Sequence, residues 1–221
     1  MDTFDTPTPI STVLDIPAGR IRLVAADRAD TTVEVLPADA SKGRDVKAAE
    51  QTAVEYRDGV LRITTSARNQ YFGSSGSVEV TVHLPAGSRI EAKAAGVEFR
   101  AVGQFGAVAF EGAHGAIRLD EADSVRLTTV SGDVTVGRLA GSAEISTAKG
   151  HIRIAEAVRG TVVLRTQAGD VSVHAANGVS ASLDAGTTHG RIHNALKNTE
   201  GTPDLTIHAT TAYGDIAARS L

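Results

Sequence analysis

Apolar and polar residues alternate along this chain in short runs, each closed by turn-forming residues. Residues 11–16 (STVLDI), 20–24 (RIRLV) and 32–36 (TVEVL) place an apolar side chain at every second position between Pro, Gly or Asp. That is the period of a half-buried β-strand. Residues 38–53 are polar and rich in Ala, Lys and Glu, which suits a surface helix or a loose connection. Strands resume at 54–56 and 60–63, and the cleanest run in the chain is 78–84 (VEVTVHL), stopped by Pro85 and Gly87. Between these, residues 66–77 set Gly and Ser around Tyr71 and Phe72, which predicts a loop presenting an exposed aromatic pair or a tucked hairpin tip.

Beyond residue 100 the pattern repeats. A strand follows each of Gly115 (GAIRL), Gly132 (GDVTV), Gly150 (GHIRI), Gly169 (GDVSV), Gly190 (GRIHN) and Gly214 (GDIAA), with successive glycines 17, 18, 19, 21 and 24 residues apart. A second strand precedes each Gly, with apolar pairs seven and five residues upstream: Val108 and Phe110, Val125 and Leu127, Ala143 and Ile145, Val162 and Leu164. In the last two units the pairs are read as Ala181 with Leu183 and Leu205 with Ile207, as if two residues were inserted. One such unit cannot bury its inner face alone, whereas stacked units build a continuous core. The expected fold is therefore all-β: a largely parallel β-solenoid, a β-helix-like stack of two-strand coils with Gly turns. It is expected to be a single domain over 1–221, with irregular strands over 1–99, loops at 38–53 and 66–77, and regular repeats over 100–221. An antiparallel sandwich with regular turns would show similar strands.

Residues 80–87 (VTVHLPAG), followed by tandem Gly-Asp-Val units at Gly132 and Gly169, resemble the DUF4097 family of bacterial β-strand-repeat proteins, whose members carry the label "putative adhesin"; residues 18–23 (AGRIRL) are similar to that family's opening strand. The resemblance implies a β-solenoid-like fold and a surface location, and it brings no catalytic residues with it.

Composition narrows the function classes. The chain is 42% apolar but only 4% aromatic, with no Trp, so small and β-branched residues must form the core. Net charge is −4, pI is about 6.0, and Lys and Arg are scattered, which removes the electrostatic footprint of a nucleic-acid binder. With no cysteine there is no thiol nucleophile, disulfide framework or Cys-based metal site. No window reaches the roughly 18 apolar residues of a membrane span, and the opening MDTFDTPTPIST lacks the basic and apolar regions of a signal peptide. A cytoplasmic protein is expected. No Gly-rich phosphate cradle is present, and no cofactor is expected.

The candidate chemistry lies on the outer face. If the Val, Ile and Leu of each unit point inward, the residue after each Gly points outward, giving the column Ala116, Asp133, His151, Asp170, Arg191, Asp215, whose signs largely alternate. Beside it runs Arg118, Thr135, Arg153, Ser172, His193, Ala217; on the other strand Arg126 faces Glu144, and Arg165, Asp184 and His208 form a further column. Such alternation fixes the register of stacked strands. The same Asp, His and Arg residues could serve a carbohydrate lyase or hydrolase. His189 and His193 flank Gly190 and are a weak metal pair. No catalytic or metal-ligating residue is assigned. Asp133, His151, Asp170, Arg191 and Asp215, with Tyr71 and Phe72, are the candidate contact residues of a non-enzymatic binding or assembly module. Its expected partner is a protein or another copy of itself. Because the unit around Gly214 comes last in the chain, it is expected to form the open end through which copies associate.

Overall fold

A computed structural model describes residues 1–65, 76–198 and 201–221. Apart from one helix, the regular elements of these residues are β-strands. The chain divides into two compact units, Met1–Gly115 and Ala116–Leu221. Tyr71 and Phe72 lie outside the described residues.

The first unit contains β1 (Asp2–Asp5), β2 (Ser11–Asp15), β3 (Ala18–Ala26), β4 (Asp30–Pro37), helix α1 (Gly43–Glu50), β5 (Thr52–Arg57), β6 (Val60–Thr65), β7 (Val78–Pro85) and the long β8 (Arg89–His114). The alternation seen in the sequence is realised as alternating burial: in β7, Val78, Val80, Val82 and Leu84 are buried and the residues between them are not. Pairing does not follow chain order. Strand β2 lies between β6 and the start of β8, and β3 lies between β7 and a later part of β8, all parallel. The outer flanks are closed by antiparallel strands, β5 on β6 and β4 on β7, with β1 on β4. Within the polar stretch 38–53, α1 forms, and the buried carboxylate of Asp45 accepts the Ser77 N–H at 3.0 Å.

The second unit contains β9 (Ile117–Ser131), β10 (Val134–Leu139), β11 (Ala143–Lys149), β12 (Ile152–Ala157), β13 (Gly160–Ala168), β14 (Val171–Ala175), β15 (Ala181–His189), β16 (Ile192–Ala195), β17 (Leu205–Tyr213) and β18 (Ile216–Ser220). Each repeat is a rung of two strands that meet at its Gly. Rungs pair in parallel and in register: Ala143 sits between Val125 and Val162, and Ile145 between Leu127 and Leu164. The core is the stacked inner column, for example Ile117, Val134, Ile152, Val171 and Ile216, each no more than 1% exposed.

The last rung breaks the succession. Strand β17 pairs with β13 on one side and β15 on the other, and β18 pairs with β14 and β16. The spatial order by corner glycine is therefore 132, 150, 169, 214, 190. Two expectations are corrected by this register. The rung of Gly214 is not the open end; it is enclosed, and the rung of Gly190 is outermost. The late repeats also carry no insertion in their first strand. Leu183 and Ala185 align with Ile207 and Ala209, and these with Val162 and Leu164, so the spacing to the Gly is constant. The extra length lies between the rungs, where the segment after β16 returns the chain by one layer.

Candidate functional site

The corner of the second unit is built from three parallel ladders. The first is made of glycine. Gly169 and Gly214 have φ of 153° and 149°, and a Cβ on Gly214 would stand 2.1 Å from the Gly169 carbonyl oxygen. Only a residue without a Cβ permits that approach. Gly150 on Gly132, Gly169 on Gly150 and Gly190 on Gly214 repeat the contact, which independently fixes the order of the rungs.

The second ladder is the predicted outward column, and the structure brings Asp133, His151, Asp170, Asp215 and Arg191 together, in that order. Each of the first four side chains accepts the backbone N–H of the next residue in the column. Asp133 Oδ1 takes the His151 N–H at 2.8 Å, His151 Nδ1 the Asp170 N–H at 3.0 Å, Asp170 Oδ1 the Asp215 N–H at 2.8 Å, and Asp215 Oδ1 the Arg191 N–H at 2.8 Å. Asp170 Oδ2 also lies 3.4 Å from the same His151 Nδ1 that accepts the Asp170 N–H. The expected alternation of charge is corrected here, because Asp170 and Asp215 are neighbours and Arg191 follows both. What their adjacency costs is offset by charge-assisted bonds to backbone donors and by exposure of both side chains.

The third ladder was not anticipated. Thr129, Thr147, Thr166, Thr211 and Thr187 stack three residues before each Gly. The hydroxyls of Thr166, Thr211 and Thr187 donate to the carbonyls of Gly150, Gly169 and Gly214, at 3.1, 3.0 and 3.0 Å. Thr147 instead reaches the Lys149 carbonyl at 3.3 Å. The sequence signal is the constant Thr-x-x-Gly of the last five repeats. A search for alternation passes over it, since Thr is neither a core hydrophobe nor a turn residue.

The remaining columns are mixed. Arg126 faces Glu144 at 3.7 Å, and His208 meets Asp184 at 3.2 Å. Arg165 is not in their column, where Val163 stands between Glu144 and His208; it reaches Glu144 from the next row at 3.4 Å. His189 stacks on the exposed Tyr213 with ring centroids 4.7 Å apart, and His193 pairs across to Ala217. Among the described residues no three His, Asp or Glu side chains converge on a metal-sized site. A groove of about 350 Å³ is lined by Thr129, Val130, Ser146, Arg165 and Gln167, among others, and no residue of the Asp and His column lines it. Asp170 and Asp215 project side by side from one corner, whereas glycoside hydrolysis needs carboxyls on either side of the scissile bond. Farther along the second strand, His174 is buried opposite Arg219. Burial, then the Arg219 charge, holds its imidazole below the ordinary 6.5 despite a hydrogen bond with the Ala155 backbone.

The outermost rung differs from the others in what it leaves uncovered. Ile192 is 46% exposed, whereas Ile216, its counterpart one layer inward, is 1% exposed. All four residues of β16 are exposed, and Leu183 is half-buried where Ile207 is fully buried. Among the described residues no strand pairs with the outer side of β15 or β16.

No curated protein matches the chain. The solved structures similar to this chain include two from Parabacteroides distasonis ATCC 8503. One is described as a "putative adhesin" (12% identity, 98% of this chain and 95% of that chain, TM-score 0.47) and the other as a "putative lipid binding protein" (13% identity, 98% and 95%, TM-score 0.46). A "putative adhesin" from Bacteroides fragilis NCTC 9343 is similar at 10% identity, over 98% and 95% of the two chains, with a TM-score of 0.44. A family model, Toastrack DUF4097, matches residues 13–220. In keeping with the resemblance carried by residues 18–23, 80–87 and the Gly-Asp-Val units, this chain belongs to the DUF4097 (Toastrack) family.

Proposed function

We propose that this chain is a non-enzymatic binding or assembly module, a β-solenoid acting as a single domain, whose working surface is the open rung β15–β16. The observation that carries this reading is the unroofed core at that rung, with Ile192 46% exposed against 1% for its inner counterpart Ile216. A strand edge with an apolar flank pairs readily with another strand, and recognition by strand addition uses such edges. The charged corner supports the site by holding its register, since one carboxylate oxygen of each Asp already accepts a backbone N–H of the next rung.

The test compares three proteins as bait in extract of the source cells: wild type, Leu183→Lys with Ile192→Lys, and Asp133→Asn with Asp170→Asn and Asp215→Asn. The Asn substitutions keep an acceptor oxygen at each ladder position while removing charge. A protein recovered by the wild type and the Asn variant, and lost with the Lys variant, supports the edge. Loss with the Asn variant alone returns the function to the charged column.

A further inference from the structure

We infer that the partner of the open rung is a second copy of this chain, with β15 of the two copies pairing antiparallel about a two-fold axis at Ala185. The inference rests on the edge reading above and names its occupant.

The backbone supplies the first argument. Along a strand, the N–H and C=O groups of alternate residues face the same edge. Ala181 sends its N–H away from β17, to the Lys197 carbonyl at 3.1 Å, and Leu205 donates from β17 to the Ser180 carbonyl. Leu183, Ala185 and Thr187 therefore direct their donors and acceptors to the uncovered side. In an antiparallel pairing centred on Ala185, Leu183 of one copy lies opposite Thr187 of the other, and Ala185 opposite Ala185. Every outward-directed donor then meets an outward-directed acceptor.

The side chains supply the second. Leu183, Ala185 and Thr187 point to the core side, as their register partners Ile207, Ala209 and Thr211 do, so the two cores become continuous. On the outer face Asp184 falls opposite Gly186. Asp184 is the only ionisable residue in 183–187, so no like charges oppose each other. A Cβ placed on Gly186 would meet nothing within 4 Å, so the space beside Asp184 is open. The stretch also lacks the Lys and Pro residues with which sheet edges block pairing of like with like. The first unit shows the opposite treatment: its β6 and β7 flanks are covered by antiparallel β5 and β4.

The test uses the absence of native cysteine. Asp184→Cys and Gly186→Cys are made together. Residues directly opposite in a non-hydrogen-bonded antiparallel pair are about 4.5 Å apart at Cα, within disulfide reach. The expected result is a wild type of twice the 22.8 kDa chain mass at tens of micromolar, and a double variant that oxidises to a covalent dimer while each single variant does not. Leu183→Lys is expected to shift the mass to that of one chain with its circular dichroism unchanged. A wild type of single-chain mass at that concentration overturns the inference, as does a dimer in which the double variant fails to cross-link. If the wild type is monomeric yet its edge still captures a different protein in the three-bait comparison, the pairing of copies fails and the edge reading stands. If the wild type is monomeric and no bait recovers anything, both fall.

Discussion

The last two rungs of the second unit carry the same pattern and meet opposite fates. Both present Thr-x-x-Gly, an apolar pair seven and five residues before the Gly, and an alternating strand after it. The later rung in sequence is enclosed on both sides, and the earlier one stands at the edge. Position in the stack, and not local sequence, decides how much each residue contributes. A buried aliphatic side chain stabilises by about 1.5–3 kcal/mol relative to exposure, and a rung with one neighbour in place of two realises only part of it.

The comparison can be broken most directly by truncating the same position in both rungs. Ile207→Ala should cost about 2–5 kcal/mol of unfolding free energy, whereas Leu183→Ala, measured at a dilution that separates the copies and leaves this position half-buried, should cost less than about 1 kcal/mol. Equal losses in chemical denaturation would mean that the outer rung is covered in solution by something other than this chain's described residues. A second pair sharpens the role of the hydroxyl ladder. Thr211→Val leaves the Gly169 carbonyl without its side-chain donor in a buried setting, with an expected cost of about 1 kcal/mol. Thr187→Val, at the same dilution, where water reaches the rung of the single chain, should cost a few tenths. Thermal unfolding of the four proteins side by side reads both pairs.

The smallest expected effect concerns acid. His174 is buried against β18, so protonating it in the folded state is disfavoured. Its folded value lies below the unfolded one, the unfolded chain binds more protons between the two, and stability falls as pH is lowered from about 6.5 through that window. Above it there is no contribution. His174→Gln should flatten this part of the pH–stability curve. An unchanged slope would show that His174 remains solvated despite the enclosing rung.

Much of the fold was legible in the residues. Alternation located β2, β3, β4 and β7 within a few positions, and the Gly spacing marked each corner of the second unit. What could not be read was the order of the rungs. Parallel in-register stacking asks the same pattern of every rung, so residues 205–220 satisfy a place between β13 and β15 as well as one beyond β15. The sequence trace of the exchange is two longer connections, 176–180, where the chain passes over one layer, and 196–204, where it comes back to it. The candidate site was legible in part. Asp133, His151, Asp170, Arg191 and Asp215 do form one column, but their backbone hydrogen bonds depend on which rung is adjacent. The exposed Ile192 looks like any core isoleucine until the register shows that, among the described residues, no strand lies beside it on the outer side.

The enclosed last rung also sets a problem of timing during synthesis. Ribosomes release the chain in order, so β15 and β16 emerge before β17 and β18 exist. In that interval the sites on β13 and β14 that β17 and β18 will occupy are vacant, and β15 and β16 carry a pattern that fits them. The final rung must therefore claim a place that an earlier segment can hold first. Where β15 and β16 take that place first, completion of the stack waits on an exchange of strands after residue 220 has been added, an event of high sequence separation that is intrinsically slow. Refolding kinetics of this unit should accordingly be governed less by forming rungs than by sorting them.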